Sequence, residues 1–166
     1  MTMGQYDSAQ ICFEGHITNS LSKSNPQCNR RHCDMCGAET ITTCQNCDQS
    51  IRGGFTYYKY RRIHASVITE PPMFREHCGK PYPWSAARLE AARQLVEEMG
   101  ILDIPDKTLL NECIEDLIHN TPRAPAAAVR FRSLASKGGP VILEAFRQIL
   151  YNVMSEPLRK MIWPAG

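Results

Sequence analysis

From Pro83 to the end of the chain, apolar residues return every third or fourth position, a spacing that predicts helices. Ser85 caps a helix over Ala86–Met99, which places Leu89, Ala92, Leu95, Val96 and Met99 on one face and stops at Gly100. A second helix has Pro105 in its first turn and Asp103 or Asp106 near its start. Leu109, Leu110, Cys113, Ile114, Leu117 and Ile118 give it a broad buried stripe, and Asn120-Thr121-Pro122 ends it. A third helix is expected over Pro125–Ser136, ending at Gly138-Gly139. A fourth runs from Pro140 to Met154 with Leu143, Phe146, Ile149, Leu150 and Val153 inward. Ser155-Glu156-Pro157 breaks or kinks it, and a last short turn is expected over Leu158–Trp163.

Before Pro81-Tyr82-Pro83-Trp84 the helical spacing is absent. Ala38–Thr43 and Phe55–Tyr60 are β-branched or aromatic runs of the kind strands prefer, and Gly53-Gly54 marks a turn or bulge before the second. The expected fold is therefore α+β: a small β module over residues 1–83 followed by an α-helical domain of about four helices over residues 84–166. The helical half can bury an apolar core. The N-terminal half has few large aliphatic residues and needs a staple.

Cysteine usage suggests what that staple is. Of 8 cysteines, all but Cys113 precede Trp84. No apolar run approaches the roughly 18–20 residues that cross a bilayer. The opening residues Met1–Asp7 show neither a basic nor an apolar leader segment, so a cytoplasmic location is expected. In a reducing compartment clustered cysteines are metal ligands more often than disulfides.

Cys33-Asp34-Met35-Cys36-Gly37 and Cys44-Gln45-Asn46-Cys47 are two C-x2-C knuckles. The two-residue gap lets one tight turn aim both thiolates at one ion, and this repetition is a zinc signal. Two half-sites accompany them. Cys12-Phe13-Glu14-Gly15-His16 pairs a thiol with an imidazole, and Arg75-Glu76-His77-Cys78-Gly79 reads as an altered repeat of the first knuckle, with Arg75 where Cys33 stands. Two ribbon-like units in tandem follow. The first uses Cys12, His16, Cys33 and Cys36; the second uses Cys44, Cys47 and Cys78, with its fourth ligand in question. His77 is the nearest substitute, although neighbouring residues rarely ligate one ion well, and His64 is the next. A joint site of Cys33, Cys36, Cys44 and Cys47, a cross-braced pairing, and a second site that has lost its metal stay open. The expected cofactor is thus one or two structural zinc ions. Cys28 lies outside knuckle spacing and reads as a free thiol. Cys113 reads as a small core residue, and His119 as a cation near a helix C-terminus.

Charge narrows the range of partners. The formal net charge is +2, from 19 basic and 17 acidic residues, too small for a nucleic-acid binder held by bulk charge. Two zinc sites of three thiolates each would bring it to about 0. One local patch remains, in which Arg52, Tyr57, Lys59, Arg61 and Arg62 interleave cations with aromatic rings that could stack on bases. The plainer reading is a ribbon hairpin with its tyrosines packed and its cations solvated. No phosphate-binding glycine loop, nucleophile elbow, H-E-x2-H or deaminase motif is present, so no enzyme is expected. The least favoured alternative is a zinc hydrolase on the incomplete second site. A macromolecular partner, protein rather than nucleic acid, fits best, with no membrane partner, and the helical domain could also support a homo-oligomer.

Taken in order, Tyr6–Cys12, Gly15-His16, Cys33–Ile41, Cys44–Cys47, Ile51-Arg52-Gly53 and Cys78–Trp84 resemble a bacterial family of uncharacterised zinc-ribbon proteins, the domain of unknown function 2321. The likeness extends to Asn120-Thr121-Pro122-Arg123 and Ser155-Glu156. It implies a ribbon fold and bound metal, and a cysteine where Arg75 stands here. It implies no activity.

Overall fold

A single residue, Ala9, separates the two strands that open the chain, and those strands belong to different sheets. The computed structural model describes residues 4–59 and 62–164, without the side chains of Tyr58 and Arg62. Strands β1 (Gly4–Ser8), β5 (Arg52–Lys59) and β6 (Arg62–Ala65) form one antiparallel sheet in the order β1-β5-β6. Strands β2 (Gln10–Cys12), β3 (Ile17–Asn19) and β4 (Thr40–Ile41) form a second in the order β3-β2-β4. At the crossover the Ala9 N–H donates to Ile51 O at 2.8 Å, so the backbone stays paired while the chain changes sheets.

The β-prone run over Ala38–Thr43 is a strand only at Thr40–Ile41. Turns on either side consume its other backbone groups: Ala38 O accepts from Cys33 N, and Thr42 O accepts from Ile51 N. The second run begins earlier than Phe55, because Gly53 and Gly54 lie inside β5. Between the pairs Ser8–Arg52 and Tyr6–Phe55, β5 carries one more residue than β1, which is a bulge. Only glycine fits there. A Cβ at Gly53 would collide with Ser20 O, and one at Gly54 with Ser66 O. Strands β1, β2, β3 and β6 carry no alternation strong enough to be read from sequence.

The core of this unit is small. Ala9, Ile11, Ile51, Tyr82 and Trp84 are buried together, with Ile17, Ile41 and Ile68 packed at its edge. Trp84 is 1% exposed, stacks on Tyr82 at 4.6 Å and donates from Nε1 to Pro72 O at 2.9 Å. A buried carboxylate ties down the loop that follows β3. Asp7 accepts from the backbone N–H groups of Ser8, Lys23 and Ser24 and from the Ser24 hydroxyl. Burial pushes the Asp7 carboxyl up, but the Ser24 hydroxyl and those N–H groups together hold it below its ordinary value of 3.8.

The chain divides into the units Met1–Ala86 and Ala87–Gly166. Helix α1 (Pro83–Glu98) starts two residues before Ser85, because Pro83 suits a first helical turn. Ser85 is therefore not a cap. It is buried, and its hydroxyl donates to Met73 O at 2.8 Å. Helix α2 (Ile104–Ile118) is capped by Asp103, which accepts from Asp106 N, and it buries Leu110, Cys113, Ile114, Leu117 and Ile118. Helix α3 (Ala124–Ser136) has an alanine-rich face with Phe131 at its centre and packs against α2, α4 (Gly139–Leu150) and α5 (Glu156–Ile162). Phe131 meets Phe146 edge-on at 5.2 Å. Among the described residues there are thus five α-helices rather than about four. The expected fourth helix stops at Leu150, short of Met154, a 3-10 turn covers Tyr151–Val153, and the expected last turn is helix α5, with Pro157 in its first turn. No described helix is long and apolar enough to cross a membrane.

Trp84→Ala is expected to cost about 3–5 kcal/mol in urea unfolding of the full chain, as removal of a buried aromatic does. Asp7→Asn should cost about 1.5–3 kcal/mol at neutral pH, since it removes a charged acceptor shared by four donors. Because the folded Asp7 value is depressed, its contribution is present above 3.8 and is lost as pH falls through the folded value. The difference between wild type and variant, compared at each pH, should therefore close in acid.

Candidate metal centres

Three turns in the N-terminal unit share one backbone design. In the first, Gly37 N donates to Cys33 O and Cys33 N donates to Ala38 O, both at 2.8 Å, with a β-bridge between His32 and Glu39 outside them. In the second, Asp48 N donates to Cys44 O and Cys44 N to Gln49 O, both at 2.8 Å, flanked by the bridge Thr43–Ser50. In the third, Gly79 N donates to Arg75 O at 2.7 Å and Arg75 N to Lys80 O at 2.9 Å, flanked by the bridge Phe74–Pro81. The fifth residue of each turn is left-handed: Gly37 at φ 74°, Asp48 at 55° and Gly79 at 67°. That conformation reverses the chain within one turn and costs a non-glycine residue energy. Arg75 thus occupies the same backbone position as Cys33 and Cys44. Cys12–His16 adds a shorter turn, in which Cys12 N donates to His16 O at 3.0 Å and Gly15 N to Cys12 O at 2.9 Å.

The first cluster gathers one atom each from Cys12, His16, Cys33 and Cys36, all within 4.8 Å of one another. Cys12 ends β2, which pairs with β4 just beyond the Cys33–Gly37 turn; this pairing draws the two turns together. Cys12 Sγ lies 3.8 Å from Cys36 Sγ and 3.5 Å from His16 Nδ1, and Cys33 Sγ lies 3.7 Å from the same nitrogen. Cys12 and Cys33 are buried, His16 is half-buried and Cys36 is exposed, so one side of the cluster faces solvent.

The second cluster gathers the sulfurs of Cys44, Cys47 and Cys78 within 4.8 Å. Lys80 Nζ donates to Asn46 Oδ1 at 2.9 Å, which links the two turns that build it. Neither His77 nor His64 joins the cluster. His77 is exposed, with Nε2 3.8 Å from Glu76 Oε1, because neighbouring residues of a tight turn project apart. His64 lies in β6 and stacks on Tyr57 at 5.1 Å. Arg75 holds the vacant knuckle position, with its guanidinium 5.4 Å from the centre of the Tyr82 ring.

Within each C-x2-C pair the backbone distinguishes the two thiols. Burial pushes Cys44 up, but the N–H groups of Asn46 and Cys47, the Cys47 thiol and the Arg75 charge outweigh it, and Cys44 falls to about 7. Cys47 is lowered by the Gln49 N–H but raised further by its neighbours Cys44 and Cys78 and by burial. Cys33 is likewise lowered against its burial by the N–H groups of Met35 and Cys36, while Cys36 is raised. Turns whose N–H groups point at a sulfur favour its thiolate, the form that binds metal.

The other sequence candidates lie elsewhere. Cys28 is exposed in a 3-10 turn outside both clusters, and Cys113 is buried in α2, where burial raises its thiol. His119 is the C-terminal cap of α2, with Nε2 3.4 Å from Glu115. In the basic-aromatic segment, Arg52 lies 4.1 Å over the Tyr6 ring and 3.4 Å from Glu76, Tyr57 is stacked on His64, and Lys59 is exposed at the end of β5. Arg61 and the Arg62 side chain lie outside the described residues. The sequence missed the supporting role of Tyr82, whose ring lies under Arg75; its position three residues after the third turn was the only available signal.

If the shared left-handed position governs these turns, Asp48→Gly should stabilise the chain by roughly 0.5–1 kcal/mol and Gly37→Ala should destabilise it by about 1 kcal/mol or more. Thermal unfolding of both variants beside wild type checks the opposite signs.

Neither a curated protein nor a solved structure matches the chain. A family profile, described as an uncharacterised protein conserved in bacteria, matches residues 5–162, nearly the whole length and both clusters. The chain belongs to that bacterial family, the domain of unknown function 2321.

Proposed function

We propose that the chain is a non-catalytic, zinc-stabilised interaction protein, with a structural zinc ion held by Cys12, His16, Cys33 and Cys36 in a ribbon-like module. The distances at the first cluster carry this reading. A tetrahedral zinc roughly 2.3 Å from sulfur and about 2.0–2.1 Å from a ring nitrogen sets edges of about 3.8 Å between sulfurs and about 3.5 Å from sulfur to nitrogen. The cluster has 3.8 Å for its Cys12–Cys36 pair and 3.5 and 3.7 Å for its sulfur–nitrogen pairs. Thiols that only packed against one another would have no reason to adopt the edges of a coordination tetrahedron.

Four protein donors complete a zinc shell and leave no position for water or substrate, the arrangement of structural rather than catalytic sites. The ion's work is then folding: it joins the Cys12 turn to the Cys33 turn in a unit whose apolar core is only a handful of side chains. An interaction role fits the exposed apolar residues of both units, among them Ile63 and Val67 in the first and Val129 and Val141 in the second. A protein partner is favoured over nucleic acid because Arg52 and Tyr57, two of the segment's candidate base and phosphate contacts, are already engaged within the fold.

Cys33→Ser is expected to abolish zinc at this cluster and to collapse the two sheets while the helical signal in far-UV circular dichroism persists. Native mass spectrometry and near-UV dichroism of the full chain check this, and unchanged metal content with an unchanged spectrum would sink the reading. Because the ligands bind deprotonated, zinc release and loss of the near-UV signal should occur together as pH is lowered.

A further inference from the structure

The second cluster combines a preformed turn design with a ligand set that zinc does not complete. We propose that Cys44, Cys47 and Cys78 form a three-thiolate site for a soft monovalent cation, copper(I), and that Arg75 selects for it by taking the place of a fourth thiolate. The proposal is independent of zinc at the first cluster.

Coordination number is the first argument. The three sulfurs converge within 4.8 Å, and no fourth His, Cys, Asp or Glu among the described residues joins them. Arginine cannot fill the gap: its guanidinium stays protonated and has donors but no lone pair to offer. A structural zinc wants four protein ligands, whereas soft thiolates alone suit copper(I), which accepts a lower coordination number.

Charge is the second argument. At any given distance the Arg75 guanidinium repels a dication twice as strongly as a monocation. It is also held in place. It lies 5.4 Å from the Tyr82 ring, and that ring is buried against Trp84. Three thiolates and one copper(I) sum to about −2, the same charge as a four-thiolate zinc centre, and Arg75 offsets one unit of it. The buried Arg75 Nε has no hydrogen-bond partner among the described residues, which leaves an N–H donor for that added negative charge.

The third argument is that the site is built rather than vestigial. The Arg75–Gly79 turn keeps every backbone hydrogen bond of its cysteine-bearing counterparts, including the left-handed glycine. The Lys80–Asn46 hydrogen bond holds it against the Cys44 turn. A relic surviving by packing alone would have no need to keep three sulfurs converging.

The test is an anaerobic titration of the zinc-loaded full chain with copper(I), supplied as its acetonitrile complex against a chromophoric copper(I) chelator, with zinc followed in parallel. The expected result is uptake of a single copper(I) per chain with a thiolate-to-copper absorption band, three sulfur neighbours by X-ray absorption, and no release of first-cluster zinc. Cys78→Ser should lose that band and keep its zinc. Arg75→Cys should gain a second, chelator-resistant zinc and lose the preference for copper(I). Absence of copper(I) uptake, uptake only by displacing the first zinc, a band unchanged in Cys78→Ser, or a second chelator-resistant zinc in the wild type would each overturn the proposal. Should Cys78→Ser fail to fold, the wild-type stoichiometry and Arg75→Cys decide the matter. Whether zinc occupies the first cluster at all is tested separately by Cys33→Ser, so failure here and failure of that reading are told apart.

Discussion

The N-terminal unit brings two short turns, Cys12–His16 and Cys33–Gly37, against one another, so that three thiols and one imidazole converge within 4.8 Å. Its remaining cohesion is modest: five buried core residues, a three-stranded sheet on each side of Ala9, and one buried carboxylate. Most of its backbone hydrogen bonds outside the strands belong to tight turns, which are local and add little to long-range order. Convergence of three sulfurs and one imidazole within 4.8 Å of one another therefore matters more here than it would in a large apolar core.

One turn design used three times explains much of the rest. The left-handed fifth residue returns the chain on itself, and the N–H groups within the turn face the sulfur of the first residue. The backbone thus favours the thiolate form of that sulfur. When the first residue becomes Arg75, the backbone does not change, only the chemistry at its tip. The guanidinium lowers the neighbouring Cys44 thiol and rests over Tyr82, so Arg75 is packed against the core.

The C-terminal unit rests on a different principle. Its helices are held by apolar stripes around α3, where small alanines let neighbouring helices approach and Phe131 fills the centre. Such stripes repeat along the sequence, so the helices were legible residue by residue, apart from their ends. The ends differ because proline fits the first turn of a helix: α1 begins at Pro83, two residues before Ser85, and α5 begins at Glu156 with Pro157 next.

By itself the sequence determined the α+β class, the helical stripes, the knuckle turns and the correspondence of Arg75 with Cys33, because each is a local pattern of a few residues. It left open which turn meets which, and it missed the four strands β1, β2, β3 and β6, whose residues do not alternate clearly. Only the tertiary structure decided that Cys12 and His16 join Cys33 and Cys36 while Cys44 and Cys47 join Cys78. It alone showed that Gly53 and Gly54 make a bulge where two backbones pass closely, and that His77 and His64 stand away from the sulfur cluster of Cys44, Cys47 and Cys78. The physical reason is common to all of these. A knuckle's spacing sets the direction of two sulfurs, but their partners arrive from turns distant in the chain, Cys12 and His16 in one case and Cys78 in the other. Which strands pair depends on backbone hydrogen bonds and a shared core, and neither is written in any one segment.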